Sequence, residues 1–180
     1  NNGGKLLLSG SEIAYNIGRS AAAAYDLAFM TNYLKASYVG DGASTYTPAT
    51  GIAGTAFDGI SIPFGIVYPE DFPDNIAAAG GSVSIFDYAI AGAKGGVAYS
   101  GTFGSGTTPG AIVYISYTLE TAIDTDMSLF MSKLLPYFGV AALPAPPVAV
   151  NDAATVAAGT VKRIHALQND LPNGGSINTN

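Results

Sequence analysis

The chain has 180 residues, enough for one domain or for one domain with part of a second. Only 11% of its residues are charged and its net charge is -6, so it lacks the clustered lysines and arginines that bind nucleic acid or an anionic membrane surface. The absence of cysteine excludes disulfides, thiolate metal ligands and cysteine nucleophiles. No apolar run approaches the roughly 20 residues of a membrane-spanning helix, and we therefore expect no membrane insertion.

The first 42 residues predict a strand followed by helix. Residues 5–9 have a continuous apolar run, which is typical of a buried strand. The Glu-Ile-Ala-Tyr stretch at 12–15 can open a helix. A longer helix is predicted from residue 20 to about residue 38, because Leu27, Met30 and Leu34 repeat at helical spacing. The Gly-Asp-Gly sequence at 40–42 predicts a turn.

The middle of the chain predicts short strands. Residues 45–64 are rich in Thr and Gly and contain β-prone pieces, and the proline-broken stretch 68–75 predicts a loop. Strands are predicted at 82–88, 95–100 and 111–117. The glycine-rich "FGSGTTPG" precedes a strand and not a helix, so it predicts a hairpin turn and not a phosphate-binding loop.

The last part of the chain predicts a helix, a linker and a second module. Asp124 begins a helix whose apolar face is Met127, Phe130, Met131 and Leu134, and Pro136 with Gly139 ends it. We expect an α/β domain at 1–139, a Pro/Ala linker at 140–150 and an incomplete Ig-like β segment at 151–180.

Three stretches, "NNGGKLLLSGSEIAYN", "AGTAFDGISIPF" and "AIVYISYTLET", carry a resemblance to the class I glutamine-amidotransferase-like fold. More narrowly, the chain resembles the non-enzymatic version of that fold in large secreted bacterial hydrolases and adhesins. The resemblance implies an α/β fold with a flavodoxin-like or amidotransferase-like partial sheet and flanking helices.

The same resemblance implies where a catalytic site would lie. In that superfamily a Gly/Lys-led strand runs into an elbow that bears a cysteine, and Ser11 occupies this position here. A later strand ends in a His-Pro-Glu run, which Thr118-Leu119-Glu120 matches here. Only the glutamate of the implied triad is kept.

The segment "PPVAVNDAATVAAGTVKRIHALQNDLPNGG" is similar to the opening of tandem Ig-like, cadherin-like repeats of bacterial surface proteins. That resemblance implies an extracellular, multidomain parent protein. The Asn-Asp pairs at 151–152 and 169–170 predict Asx turns, with calcium binding at a repeat junction as the alternative.

Ser11 has a catalytic and a structural interpretation. A nucleophile needs a base within hydrogen-bond reach, and the only histidine, His165, lies beyond the linker. The sequence from Ser9 to Glu12 fits a capping box, in which the Ser9 hydroxyl accepts the Glu12 amide. We favour the cap. Glu12 and Glu120 are a further candidate pair for acid/base catalysis. The favoured alternative is that Glu120 accepts hydrogen bonds from backbone amides of the following turn.

The loop acids Glu70, Asp71 and Asp74, with Asp58, are the calcium candidates, because calcium prefers oxygen ligands. They lack EF-hand spacing, and the favoured interpretation is a solvated acidic loop. We expect no cofactor, with calcium as the alternative.

The favoured function is a non-catalytic structural or accessory domain of a secreted or cell-surface bacterial protein. The composition favours this location and is also compatible with a cytosolic origin. Since a buried parallel strand needs neighbours, we expect other segments of the parent protein or identical subunits to supply the missing part of the sheet. The alternatives are a fragment of an extracellular peptide or polysaccharide hydrolase using Ser11 and Glu12, and a subunit of a filament or surface layer.

Overall fold

A computed structural model of the chain describes residues 3–141, 148–151, 153–161, 163 and 170. The chain divides into two compact units, residues 1–140 and residues 141–180. Every helix and strand found in the described residues belongs to the first unit.

The strands of the first unit are β1 (Gly4–Ser9), β2 (Ala36–Asp41), β3 (Ala49–Gly51), β4 (Ser61–Ile62), β5 (Asp74–Ala78), β6 (Val83–Asp87), β7 (Lys94–Gly101) and β8 (Gly110–Ile115). Six of them form a curled sheet in the order β1-β8-β7-β6-β3-β4. Its β1 and β8 pair in parallel, and its other pairs are antiparallel. A separate antiparallel pair joins β2 and β5. The unit therefore has the mixed α/β content that was expected, and one of its strand pairs is parallel. The flavodoxin-like or amidotransferase-like form of the sheet remains a prediction.

The helical elements are α1 (Ile13–Gly18), α2 (Ala24–Phe29), a π-helical turn (Met30–Leu34), two 3₁₀ turns (Ser44–Tyr46 and Leu119–Thr121) and α3 (Asp124–Tyr137). The prediction of one helix over 20–38 is wrong at both ends. Helical backbone ends at Leu34 because Lys35 adopts the left-handed conformation, with φ of 61°, and β2 follows at once. The predicted helix at Asp124 is confirmed, with Pro136 inside its last turn.

The predicted strands at 82–88, 95–100 and 111–117 are confirmed as β6, β7 and β8, and "FGSGTTPG" connects the antiparallel β7 and β8. By contrast, the stretch 68–75 is not a loop to its end, because β5 begins at Asp74. Both strands of the β2–β5 pair were missed.

The core lies on both faces of β8, which is buried along its whole length. Successive strand residues point to opposite faces. Ile112 and Tyr114 accordingly pack with Met30 and Leu34 on one face, while Val113 and Ile115 belong to an aromatic cluster on the other. That second cluster includes Phe57, Phe64, Phe86, Tyr117 and Phe130. The chain segments that follow β1 and β8 therefore begin beside a strand that is buried along its whole length.

The expectation that residues 5–9 form a buried strand is half wrong. The strand exists, but β1 lies at one end of the six-stranded sheet, with β8 as its neighbour. Its first three residues are exposed, and the Leu6 side chain is 49% exposed. The run of three leucines therefore does not indicate burial along the whole strand, because only the second half of β1 is partly buried.

The described residues of the second unit contain a turn in which Thr160 donates to the Ala157 carbonyl from its amide and from its hydroxyl. In the same unit, the Val150 amide donates to Asp170 Oδ1 at 2.8 Å. Most of the predicted linker lies outside the described residues, as do His165, Asp152 and Asn169. The Ig-like interpretation of this segment remains a prediction.

Candidate functional site

A sharp turn joins β1 to α1 and carries Ser11 and Glu12. Glu12 precedes the helix with φ of 61° and ψ of -3°, the left-handed region. That conformation costs a residue with a Cβ atom about 1–2 kcal/mol. The strand, turn and helix predicted for this stretch are therefore present, and the strained residue of the turn is Glu12 and not Ser11.

The hydroxyl of Ser11 faces the hydroxyl of Thr118. The two oxygen atoms lie 3.3 Å apart, and the Ser11 amide also points to Thr118 Oγ1, at 3.4 Å. The Thr118 amide in turn donates to Glu70 Oε2 at 3.2 Å. The two positions that the amidotransferase-like resemblance assigns to the nucleophile and the histidine are thus in contact, but neither side chain is a base.

The predicted capping box at Ser9 is wrong. The Ser9 hydroxyl donates to the Tyr117 carbonyl at 2.9 Å and accepts the Leu119 amide at 2.8 Å. It therefore joins the ends of β1 and β8, and no side chain of the turn caps α1. A serine at the end of a strand can form hydrogen bonds with backbone groups at the end of the neighbouring strand. The spacing of residues along the sequence does not reveal such partners.

The cap of α1 comes from a residue 60 positions away. Asp74 Oδ2 accepts the amides of Ala14 and Tyr15, at 2.9 and 3.2 Å. Asp74 itself is fully buried, and its other oxygen, Oδ1, has no hydrogen-bond partner among the described residues.

The backbone of Asp74 is held as firmly as its side chain. Its amide donates to the Ser116 carbonyl at 2.9 Å. Its carbonyl accepts the Ser116 hydroxyl at 2.6 Å and the Tyr88 hydroxyl at 3.3 Å. Because Ser116 directly follows β8, the most buried strand of the unit fixes the position of this carboxylate.

Three carboxylates meet at this place. One oxygen atom from each of Glu12, Asp41 and Asp74 lies within 4.8 Å of the other two. They belong to the turn after β1, the end of β2 and the start of β5. Glu12 is half-buried, Asp41 exposed and Asp74 buried, so the group reaches from the surface into the core. We call these three residues the acidic cluster.

Burial and the charges of neighbouring carboxylates raise the pKa values of Asp74 and Glu12. Burial raises the pKa of Asp74 from 3.8 to about 7; the amides of Tyr15 and Ala14 oppose this rise, and the charges of Glu12 and Asp41 add to it. Burial also raises the pKa of Glu12, with Asp41 acting in the same direction and Arg19 against it. Carboxylates so placed can hold a proton near neutral pH or share a cation.

The other predicted calcium ligands, Glu70, Asp71 and Asp58, do not belong to the acidic cluster. Glu70 is buried and uses its oxygens on the Phe72 and Thr118 amides. Asp71 is exposed, and Asp58 accepts the Gly54 amide at 2.9 Å. Of the predicted calcium candidates, only Asp74 belongs to the acidic cluster.

Glu120 does not join Glu12, the pairing considered from the sequence. Its carboxylate lies close enough to Tyr68 to add to the rise that burial causes in the pKa of that phenol, and it does not belong to the acidic cluster.

Asp41 was missed as a site residue because Gly-Asp-Gly was interpreted as a turn. The available signal was the aromatic and β-branched pair Tyr38-Val39 just before it, which favours a strand. A strand ending at Asp41 would have placed this carboxylate at a sheet end, where it meets Asp74.

No helix in the described part of the chain is both long and apolar enough to cross a membrane. In comparisons with known proteins, no protein-family model, no curated protein and no solved structure matches this chain.

Proposed function

We propose that residues 3–140 form a non-catalytic structural or accessory domain of a larger secreted or cell-surface bacterial protein. The observation that supports this most is the pairing of the Ser11 hydroxyl with the Thr118 hydroxyl. A serine becomes a nucleophile when a base removes its proton, and a threonine hydroxyl is no base. The same contact is compatible with descent from an amidotransferase-like enzyme, since it joins the two positions where that resemblance places the nucleophile and the histidine.

A serine-reactive fluorophosphonate tests the proposal. We expect no labelling of Ser11, and we expect Ser11→Ala to lower the free energy of unfolding by about 1 kcal/mol, the value of one hydrogen bond. Ser100→Ala is the matched control, because Ser100 is exposed on β7. Peptide mapping after labelling and urea unfolding provide the two readouts. Stoichiometric labelling of Ser11 would contradict the proposal.

A hydrolase remains the second candidate because of Glu12 and Asp74. Both carboxyl groups have raised pKa values, an oxygen of one lies within 4.8 Å of an oxygen of the other, and a pair of carboxyl groups is the usual acid and base of glycoside hydrolysis. Release of reducing sugar from a polysaccharide panel, lost in Glu12→Gln and kept in Asp71→Asn, would establish the hydrolase and overturn the non-catalytic proposal.

The exposed edge of β1 supports a role in assembly. Among the described strands, β1 pairs with β8 alone. Beside its first residues lies a cavity of about 310 Å³ that Phe29, Tyr33 and Phe103 help to line. An unpaired strand edge next to an apolar cavity is suited to strand addition, in which backbone hydrogen bonds and side-chain pockets act together. The occupant we propose is another segment of the parent protein or an identical subunit.

Light scattering after size exclusion tests the version with identical subunits. We expect the protein to self-associate and Leu6→Lys to shift it to monomer, because a charge on an edge strand disfavours pairing. Val83→Lys adds the same charge to β6 at a side chain of similar exposure, 57% against 49%, and should behave as the wild-type protein. A wild-type protein that stays monomeric at all concentrations would contradict assembly from identical subunits.

A further inference from the structure

We propose that the acidic cluster, Glu12, Asp41 and Asp74, binds a hard divalent cation, with calcium as the expected ion. The site would lie where the turn after β1, the end of β2 and the start of β5 converge. Neither of the resemblances in the sequence implies a cation site at these three residues.

The strand register by itself puts two of the charges together. Asp41 lies directly opposite Asp74 in the β2–β5 pair, which contains a register shift between Tyr38 and Gly40. Like charges directly opposite each other destabilise an antiparallel pair. Glu12 adds a third carboxylate from another element. A bound cation would convert this repulsion into attraction.

The strongest indication of a ligand is the orphaned oxygen of Asp74. This side chain is fully buried, and Oδ1 has no hydrogen-bond partner among the described residues. An unsatisfied buried polar atom costs about 1–3 kcal/mol, and more for a charged group. The Tyr114 hydroxyl is also buried and without a partner, and it is close enough for the charge of Asp74 to raise its pKa further beyond the effect of burial.

Among the described residues, no lysine or arginine forms a salt bridge with the acidic cluster. Within the described residues the ion pair found joins Lys94 and Asp87 and involves none of the three carboxylates. Arg19, which acts electrostatically on Glu12, lies with its guanidinium carbon 4.5 Å from the centre of the Tyr15 ring. The negative charge of the cluster is therefore available to an ion from solvent, and the exposed Asp41 provides the route of entry.

The donor set selects the class of ion. All three ligands are carboxylates, which suit calcium, magnesium and manganese, whereas zinc prefers imidazole and thiolate. Calcium accepts irregular geometry and 6–8 oxygens. The three carboxylates can supply up to about five of them, because Asp74 Oδ2 already accepts the amides of Ala14 and Tyr15, and water would complete the shell. Affinities of about 10⁻⁴–10⁻³ M are typical of extracellular calcium modules. This affinity range rests on the proposed extracellular location, whereas the site itself does not.

Terbium luminescence and calcium titration of the full chain test the proposal. The chain has 11 tyrosines and no tryptophan, and the rings of Tyr15 and Tyr38 meet edge-on, 5.9 Å apart, on the elements that bear the cluster. We expect saturable, tyrosine-sensitised terbium emission that calcium displaces. We also expect calcium to raise the melting temperature.

Two variants and one control locate the ion. Asp41→Asn and Glu12→Gln should each weaken calcium binding at least tenfold, and Asp41→Asn changes an exposed side chain. Asp71→Asn removes one exposed acid from the neighbouring loop and should bind as the wild-type protein does. Saturable binding of magnesium or manganese that depends on the same residues would also support a hard-cation site. The proposal is overturned if calcium, magnesium and manganese all fail to bind saturably, or if Asp41→Asn binds as tightly as the wild-type protein.

Discussion

Asp74→Asn is expected to make the protein more stable than wild type above neutral pH, by on the order of 4 kcal/mol. The reason is that the pKa of Asp74 is 3.8 in its unperturbed state and about 7 in the folded protein, and each pKa unit is worth about 1.4 kcal/mol. A folded state that holds the proton more tightly than the unfolded chain gains stability at low pH. For this group the gain is complete below about pH 4 and is lost as the pH rises through about 7.

The measurement is urea unfolding of both proteins across this pH range, in the presence of a chelator so that no cation intervenes. Asparagine keeps an oxygen for the amides of Ala14 and Tyr15 but carries no charge, so its profile should lack the fall between about pH 4 and pH 7 that Asp74 produces. Asp71→Asn, on the exposed loop, is the control and should follow wild type. Parallel profiles for wild type and Asp74→Asn would show that Asp74 does not titrate near neutrality.

Gly42→Ala is expected to lower the free energy of unfolding by about 3 kcal/mol, at the upper end of the usual cost of overpacking. A Cβ atom at this position would overlap the Pro73 carbonyl oxygen and lie 2.9 Å from the Tyr46 ring. The backbone oxygen cannot move aside as a flexible side chain would. Since Gly42 follows Asp41 and Pro73 precedes Asp74, the overlap should also separate the two carboxylates and weaken cation binding.

Gly40→Ala is the matched control, because it adds the same methyl group two residues earlier in the chain, within β2, and meets no atom within 4 Å. It should cost little stability and leave calcium binding unchanged. Urea unfolding and calcium titration of the two variants give the comparison. Equal behaviour of Gly42→Ala and Gly40→Ala would contradict the close approach of the two chain segments.

Elements with a strong local pattern could be predicted from the sequence. The β-prone segments that form β6, β7 and β8 were found because turn residues bound them. The helix that begins at Asp124 was found because its apolar residues repeat at helical spacing. The helix over 20–38 failed because its apolar spacing continues past Lys35, where a left-handed backbone ends the helix. The sequence around Lys35 does not predict a left-handed backbone there, because glycine is the residue that usually adopts this conformation.

The acidic cluster could be predicted only in part. Glu12 and Asp74 were both selected as candidates, but for separate sites, because they are 62 positions apart and no local rule joins them. Their proximity depends on the pairing of β2 with β5, two strands that the sequence analysis did not find. Sheet pairing between distant segments is set by tertiary packing and not by local propensity.

The cap that Asp74 places on α1 has a consequence for the order of folding. A helix of six residues, such as α1, is too short to be stable alone in water. Its amides at Ala14 and Tyr15 are capped only when Asp74, from a distant part of the chain, is in place. Contacts of high sequence separation form late, after loop closure has been achieved. We therefore expect α1 to acquire protection from hydrogen exchange only when β5 has docked, so that the helix and the convergence of the three acids appear in a single late event.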